Sequence, residues 1–439
     1  MLSKYFQNMK TQKYSNSNHS NSNWHSNPEK IILLDNGAYE IKHSTAAFKT
    51  PVKKFQNCKF FEKINYNDSA YFVENMNDDF PKESISTIGK SFCRPLSRGL
   101  LHDIDLELEI WEEIFTTHYN KEKGKNSNYS DNMLIFTHTP LAPDDVIEGY
   151  FEIIFEYFGF NSCVKSIPHL FTALYAKEKY EYINETIQLV VDSGFSSTTI
   201  VPIFGNRPIY NAIKRIDIGG KLLTNYLKEC LTSTIELDIR KEFFLSNLIK
   251  EESCYVSKNF NIDMKISSLK NSDNNINKRI FILPEYRKRS EENLKKTPFE
   301  KHSIIMNSLR FIVPELMFNP NLIGVDEAGI HQGIVKSINE CNPDFNNLLY
   351  KNIVVNGGNA KLFNFKDRLK NELMPFAIND NNQVGVDIYD MNLSVGEQVE
   401  PVMQGMKIFA RNVEMLKDLS ISKNDYDEFG SNIVWKNCL

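Results

Sequence analysis

The sequence predicts an α/β protein built by duplication. Two matching stretches carry that expectation. Ile31-Ile32-Leu33-Leu34 runs into Asp35-Asn36-Gly37, and Leu189-Val190-Val191 runs into Asp192-Ser193-Gly194, the two aspartates lying 157 positions apart. Each is a short apolar run suited to a buried strand, then a turn tripeptide, then a returning stretch. A third related element, Ile353-Val354-Val355 before Asn356-Gly357-Gly358-Asn359, follows in the second half.

In chain order, residues 1–29 are rich in Asn and Ser. Such a segment buries too little apolar surface to offset its ordering entropy, so a disordered tail is expected. Residues 31–34 form a strand, and 38–42 return as its hairpin partner. The stretch 59–95 is poorly patterned, with Asn and Asp at 65–68 and 75–79, and suits a small subdomain. Apolar residues at 104, 106, 108, 110, 111, 114 and 115 predict a helix over 103–117. A polar loop at 121–131 leads to a strand at 133–136. Helices are expected over 144–158 and 170–182, the latter with Pro168 near its first turn, where proline is tolerated. After the second Asp-Ser-Gly turn, 196–203 returns as a strand. Residues 265–300 are polar and irregular and read as a surface insertion. The Gly357-Gly358 turn opens onto a helix over 363–373.

The composition narrows the class. With 439 residues and 41% hydrophobic content the chain can bury a sizeable core. A net charge of -5 is not that of a basic nucleic-acid-binding domain. The cysteine count is odd, seven, with no C-x-x-C pair, so neither a disulfide framework nor a structural zinc site is expected. No apolar run approaches the ~18 residues of a membrane span. Arg287-Lys288-Arg289 and Lys295-Lys296 form a split basic cluster in the insertion, which reads first as a solvated face and second as a phosphate or nuclear-import patch.

The loops suggest their own chemistry. A tight hairpin turn gathers backbone N–H groups into an anion nest suited to phosphate. An aspartate at the strand end can hold a magnesium ion through its waters. Two such loops facing each other would grip a nucleoside polyphosphate, with the Gly357-Gly358 turn against the nucleoside.

These residues resemble the actin superfamily. Asp35-Asn36-Gly37 with Lys42 looks like its first phosphate loop, and Asp192-Ser193-Gly194 like its second. Residues 213–227 resemble the segment that enters the fourth subdomain. Lys250-Glu251 resembles the pair that contacts the nucleoside, and Gly357-Gly358 the third turn. The 422–438 tail is also actin-like. Within the family the resemblance is strongest to the actin-related protein 6 subfamily, through Asp35 to Tyr39, Gln56 to Phe60, Ile218 to Asn225, Cys254 to Lys265 and Leu283-Pro284-Glu285, with Arg94-Pro95 and the Trp111 helix.

The resemblance implies an actin-like, RNase H-like duplicated fold with two lobes of two subdomains around a nucleotide cleft. Residues 30–182 with 396–439 would form the outer lobe, its second subdomain being about 59–95. Residues 183–218 with 326–395 would form subdomain 3, and 219–325 subdomain 4. The implied ligand is ATP or ADP with magnesium, held structurally by Asp35, Asn36, Gly37, Lys42, Asp192, Ser193, Gly194, Lys250, Glu251, Gly357 and Gly358. The implied role is that of a monomeric subunit in a nuclear Swr/SRCAP-class remodelling complex that exchanges a variant histone. It would sit beside a Swi/Snf-type motor and a zinc-HIT subunit and meet the nucleosome through the complex, with no membrane contact. Localisation is expected in the nucleus, with a cytoplasmic pool allowed.

The chain departs from actin where hydrolysis needs it. The second-loop aspartate that orders magnesium waters aligns with Phe195, and the glycine after it with Ser196. The water-orienting histidine aligns with Thr199, and the water-positioning glutamine with His169. The Ser-Gly pair of the first loop becomes Ala38-Tyr39. Losing one such positioned group typically costs ~10²–10³ in rate. No catalytic residue and no metal ligand of the protein's own is therefore expected. His169 and His331 read as packing or hydrogen-bonding residues. The competing reading, a polymerising actin-like ATPase, has Phe195 and Tyr39 against it.

Overall fold

Each Asp-ending strand seeds a sheet. The computed structural model describes residues 27–62, 71–73, 91–119, 129–184, 186–234, 242–269, 275–283, 303–379, 382–383, 385–392 and 400–435. Outside them lie residues 1–26 of the expected tail, most of the 59–95 stretch, 121–128 of the polar loop, and 270–274 and 284–300 of the insertion. The basic cluster and Cys438 are outside as well.

The first sheet has six strands in the order Ile421–Ser422, Ser162–Ser166, Met133–Thr137, Ile31–Asn36, Glu40–Thr45 and Lys53–Gln56. Ile31–Asn36 pairs antiparallel with Glu40–Thr45 and parallel with Met133–Thr137. The second sheet repeats the plan. Ile187–Ser193 pairs antiparallel with Thr198–Phe204 and parallel with Ile353–Asn356, which in turn pairs parallel with Ile388–Asp390. The two hairpins even share register: Asp35 lies opposite Lys42, and Asp192 opposite Thr199, each on the seventh residue back from its partner. The duplication read from the two turns is thus a duplication of sheet topology. Two sheets built on one plan, each with helices packed on it, are the duplicated α/β architecture expected from the sequence.

Both seed strands are covered on two faces. All six residues of Ile31–Asn36 are buried, and so are all residues of Ile187–Ser193 except Asp192. That is why they read as continuous apolar runs rather than alternating ones. One face of the first sheet carries Trp111, Phe115, Phe136, Phe151 and Phe160, all fully buried. Burying each such ring contributes about 2–3 kcal/mol. The second sheet packs on Leu223, Leu227, Ile334, Leu369 and Phe318.

The helices largely follow the spacing, with differences at their ends. The first is Ile104–His118, started by Asp103, whose side chain accepts from Leu106 N at 3.0 Å. The expected 144–158 helix changes pitch. Asp144–Phe151 is α-helical, and Glu152–Tyr157 winds wider, with Phe158 N–H donating to Ile153 O. Phe151, Ile153, Ile154, Phe155 and Phe158 are all buried. Ile153 lies off the stripe an α-helix would make of the others, and the wider turn brings it inward. The next helix begins at Pro168 and ends at Lys179, earlier than expected, because proline suits its first turn. No helix among the described residues is long and apolar enough to cross a membrane.

Candidate functional site

The two hairpins meet at the cleft, and their aspartates feel each other. Asp35 is buried; its Oδ1 accepts from Thr137 Oγ1 at 2.8 Å and its Oδ2 from Lys42 Nζ at 3.2 Å. Lys42 also reaches Glu400 Oε2 at 3.4 Å, and Lys54 closes on the other Glu400 oxygen. Burial pulls the Lys42 ammonium down, but Asp35 and Glu400 outweigh it and hold it above the usual lysine range. Glu400 is pushed up by burial yet ends below the usual range, because Lys42 and Lys54 flank it.

Asp192 is the opposite case. Burial first, then the charge of Asp35, raises its carboxyl to about 6, with Lys42 partly offsetting both. No side chain among the described residues donates a hydrogen bond to it. An acid kept at energetic cost beside another acid is what a cation or ligand site looks like. Asp35, Lys42 and Asp192 therefore share one electrostatic neighbourhood at the base of the cleft.

The third turn closes against the second. A Cβ on Gly357 would stand 2.3 Å from Ser193 O and 2.5 Å from Asp192 Oδ1, and its φ is +100°. Only glycine fits that approach and that backbone. Asn359 Nδ2 donates to Ser193 Oγ at 3.2 Å and Gly194 O at 2.8 Å, joining the loops. Gly358 faces open space. Lys250, on the Phe243–Ser253 helix, donates to Gly220 O at 3.2 Å and Thr224 Oγ1 at 2.9 Å. Burial lowers its ammonium to about 8, against the pull of Glu251.

Two expected site residues lie elsewhere than the cleft base. The Asn36 side chain turns into the first lobe, donating to Glu107 Oε1 at 2.6 Å and Tyr150 OH at 3.0 Å. Glu251 is exposed and accepts from Asn247 Nδ2 at 2.8 Å. Asn247 also donates to the Tyr39 phenol oxygen at 3.3 Å, so Glu251 belongs to the cleft rim. Glu400, Thr137 and Asn359 were not singled out from the sequence. Glu400 stands over 350 residues from the lysine it pairs with, so no local pattern could have marked it.

The rim is closed by side chains. Tyr39 from the first loop and Phe195 from the second meet at 5.1 Å between ring centroids, their planes tilted by 46°. The Arg94 guanidinium lies 5.0 Å from the Tyr39 ring and 4.9 Å from the Phe195 ring, with Phe92 at 5.4 Å and Phe244 at 6.0 Å. Its Nη1 donates to the carbonyls of Ala38, Tyr39 and Asn57 at 2.9–3.1 Å. The loop backbone is also engaged. Gly37 N bonds to Asp35 O, Gly194 N to Ser197 O, and Gly194 O and Phe195 O accept from Gly220 N and Lys221 N.

The actin-family fold generally binds a nucleotide with magnesium, and the residues at the cleft base are of the kinds such a ligand needs. The carboxylates, Lys42, Lys250 and the Gly357-Gly358 turn suit a cation and a nucleoside. Two rings and a guanidinium lie between the two loops at the rim. His169 Nε2 and Thr199 Oγ1 lie 2.9 Å apart, and burial lowers the imidazole to about 4, so it is neutral near pH 7. Among the described residues, no group of three or more His, Cys, Asp or Glu could hold a metal on its own.

Comparison with known proteins agrees with this geometry. The actin family model matches residues 26–439. Actin-related protein 6 of Arabidopsis thaliana is 29% identical over 434 residues, covering 91% of this chain and 97% of its own. Actin-related protein 6 of Dictyostelium discoideum is 29% identical over 488 residues, covering 92% and 93%. Actin-related protein 6 of Oryza sativa subsp. indica is 27% identical over 439 residues, covering 91% and 96%. With both sheets, both aspartate hairpins and the matched span in agreement, the chain belongs to the actin family and resembles its actin-related protein 6 members.

Proposed function

We propose that this actin-related protein is a non-catalytic subunit of a nuclear Swr/SRCAP-class chromatin-remodelling complex that exchanges a variant histone into nucleosomes. It serves complex assembly and nucleosome engagement beside a Swi/Snf-type motor and a zinc-HIT subunit. The observation that supports the non-catalytic part is the Tyr39–Phe195–Arg94 cluster, which joins the two loops and leaves them little freedom to open and close around a reacting phosphate. The likeness to actin-related protein 6 along nine-tenths of the chain supports the complex. ATP or ADP with magnesium is the cofactor the cleft would take, as a structural ligand. Asp35 and Asp192 would face the cation, and Lys250 and the Gly357-Gly358 turn the nucleoside. When bound, such a ligand supplies charge and contacts between lobes, stabilising only the state that binds it.

Affinity purification of the tagged full chain from nuclear extract tests the assignment. A Swi/Snf-type motor and a zinc-HIT protein are expected among the co-purifying proteins. Recovery of neither would remove the remodeller reading.

A further inference from the structure

The segment that supplies Arg94 is built on the first lobe and touches both lobes with its side chains. The short strand Ser91–Cys93 pairs with Lys59–Glu62, and the hairpin of Leu96–Ser97 and Leu100–Leu101 rests on the first lobe through buried Leu96 and Leu101. Pro95 O accepts from His102 N and Asp103 N, so the hairpin is tied to the start of the Ile104–His118 helix.

From that base, three successive contacts cross to the second lobe. Phe92 packs on Phe243 and Phe244 at 5.6 and 5.2 Å between centroids, and those rings head the Lys250 helix. Arg94 lies against Phe195. The Arg98-Gly99 turn then reaches the far side. The backbone O of Arg98 accepts from Arg215, its guanidinium lies 4.0 Å from Asp217, and an ideal Cβ on Gly99 would stand 3.5 Å from Ser196 Cβ. Arg98 and Gly99 both have positive φ, 51° and 79°, which turns the hairpin tip toward the second lobe.

The contacts differ in kind. The Arg94 guanidinium nitrogens Nε and Nη2 are buried among half-buried rings, where a cation–π contact is stronger than at an open surface. The Arg98–Asp217 pair is exposed and weak. Arg94 Nε and Nη2 are buried without an oxygen acceptor among the described residues, so ring faces are what hold that half of the cation. Such a cation is stable only while both loops stay in place around it.

We propose that residues 91–101 form a built-in strap that holds the two lobes closed across the cleft rim with no nucleotide bound. In an enzyme of this shape a ligand between the lobes would supply the closing contacts. Here the chain supplies them, and the closed shape becomes a fixed property that a partner can rely on. The inference does not depend on which complex the protein joins.

A cross-link between Gly99→Cys and Ser196→Cys tests it on the purified full chain. The 3.5 Å Cβ separation falls at the short end of disulfide geometry, about 3.5–4.5 Å. With oxidised glutathione as oxidant, the double variant should cross-link to completion in nucleotide-free buffer, at a rate that Mg-ATP or Mg-ADP leaves unchanged. Each single variant should not. Adding Arg94→Ala should slow the reaction roughly tenfold or more, since a buried cation–π contact plus charged hydrogen bonds exceeds the 1.4 kcal/mol that tenfold represents. Cross-linking only when nucleotide is added, or a rate that Arg94→Ala leaves unchanged, would overturn the strap.

Because Gly99 has positive φ, its cysteine variant is checked by hydrogen exchange on chains that keep Gly99. In Arg94→Gln, amides of 194–197 and 219–221 should exchange about tenfold faster or more than in the parent, with the Ile353–Asn356 strand unchanged. Equal exchange at the loops in both chains would also sink the proposal. A failed co-purification would leave both results untouched.

Discussion

Glu107 is the most heavily stressed side chain outside the cleft. It is fully buried, accepts one hydrogen bond from Asn36, and its other oxygen has no donor. Burial raises its carboxyl to about 7, with Asn36 first and then Trp111 and Asn57 holding it back. The folded state therefore keeps its proton where the unfolded chain, titrating near 4.5, has lost it. Stability from this group is complete below the unfolded value and is lost as pH rises through about 7. The loss amounts to about 3 kcal/mol across that window. Glu107→Gln keeps the size and polarity of the side chain but does not titrate. Urea unfolding should show wild type and Glu107→Gln similar at pH 4.5 and the variant more stable by about 2–3 kcal/mol at pH 8. A gap that does not widen with pH would refute the buried-proton account. This site lies directly behind the first loop, since Asn36 joins Glu107 to the Asp35 turn.

At the scale of elements, the Pro401–Ala410 helix sets the position of the cleft carboxylates. It packs on Pro168–Lys179 so closely that a Cβ on Gly405 would stand 1.8 Å from Phe171 O. Glu400 is its N-terminal cap residue and holds Lys42 and Lys54. Gly405→Ala forces the helices apart or strains the backbone. A cost of roughly 2–4 kcal/mol is expected, as for overpacking at a rigid contact. The same displacement moves Glu400, so Lys42 should lose its second partner. Thermal unfolding measures the first effect, and the pH at which Lys42 titrates measures the second. A variant as stable as the parent would show the contact to be compliant.

For the whole molecule, the outcome turns on whether the two lobes can work as a nucleotide cycle. Here the loops are joined by rings, Phe195 follows the second Asp-Ser-Gly turn, and the imidazole beside the cleft is neutral and bound to Thr199. The purified chain should stay in the supernatant under polymerising salt and turn over ATP at background rates. Pelleting, or turnover abolished by Asp192→Ala, would restore the filament ATPase reading.

The sequence by itself determined the fold and the two aspartate hairpins. Strand periodicity, turn glycines and the recurrence of Asp-x-Gly are local patterns, and local patterns survive in a linear string. It also marked Tyr39 and Phe195 as departures from a hydrolytic loop. It could not reveal that these two rings touch, that Arg94 lies between them, or that Glu400 caps a helix beside Lys42. Nor could it say that Asn36 would turn inward to Glu107 and away from the cleft. Those facts depend on which distant segments packing brings together. A buried charge settles beside whatever partner the tertiary fold offers, and chain order does not encode that distance.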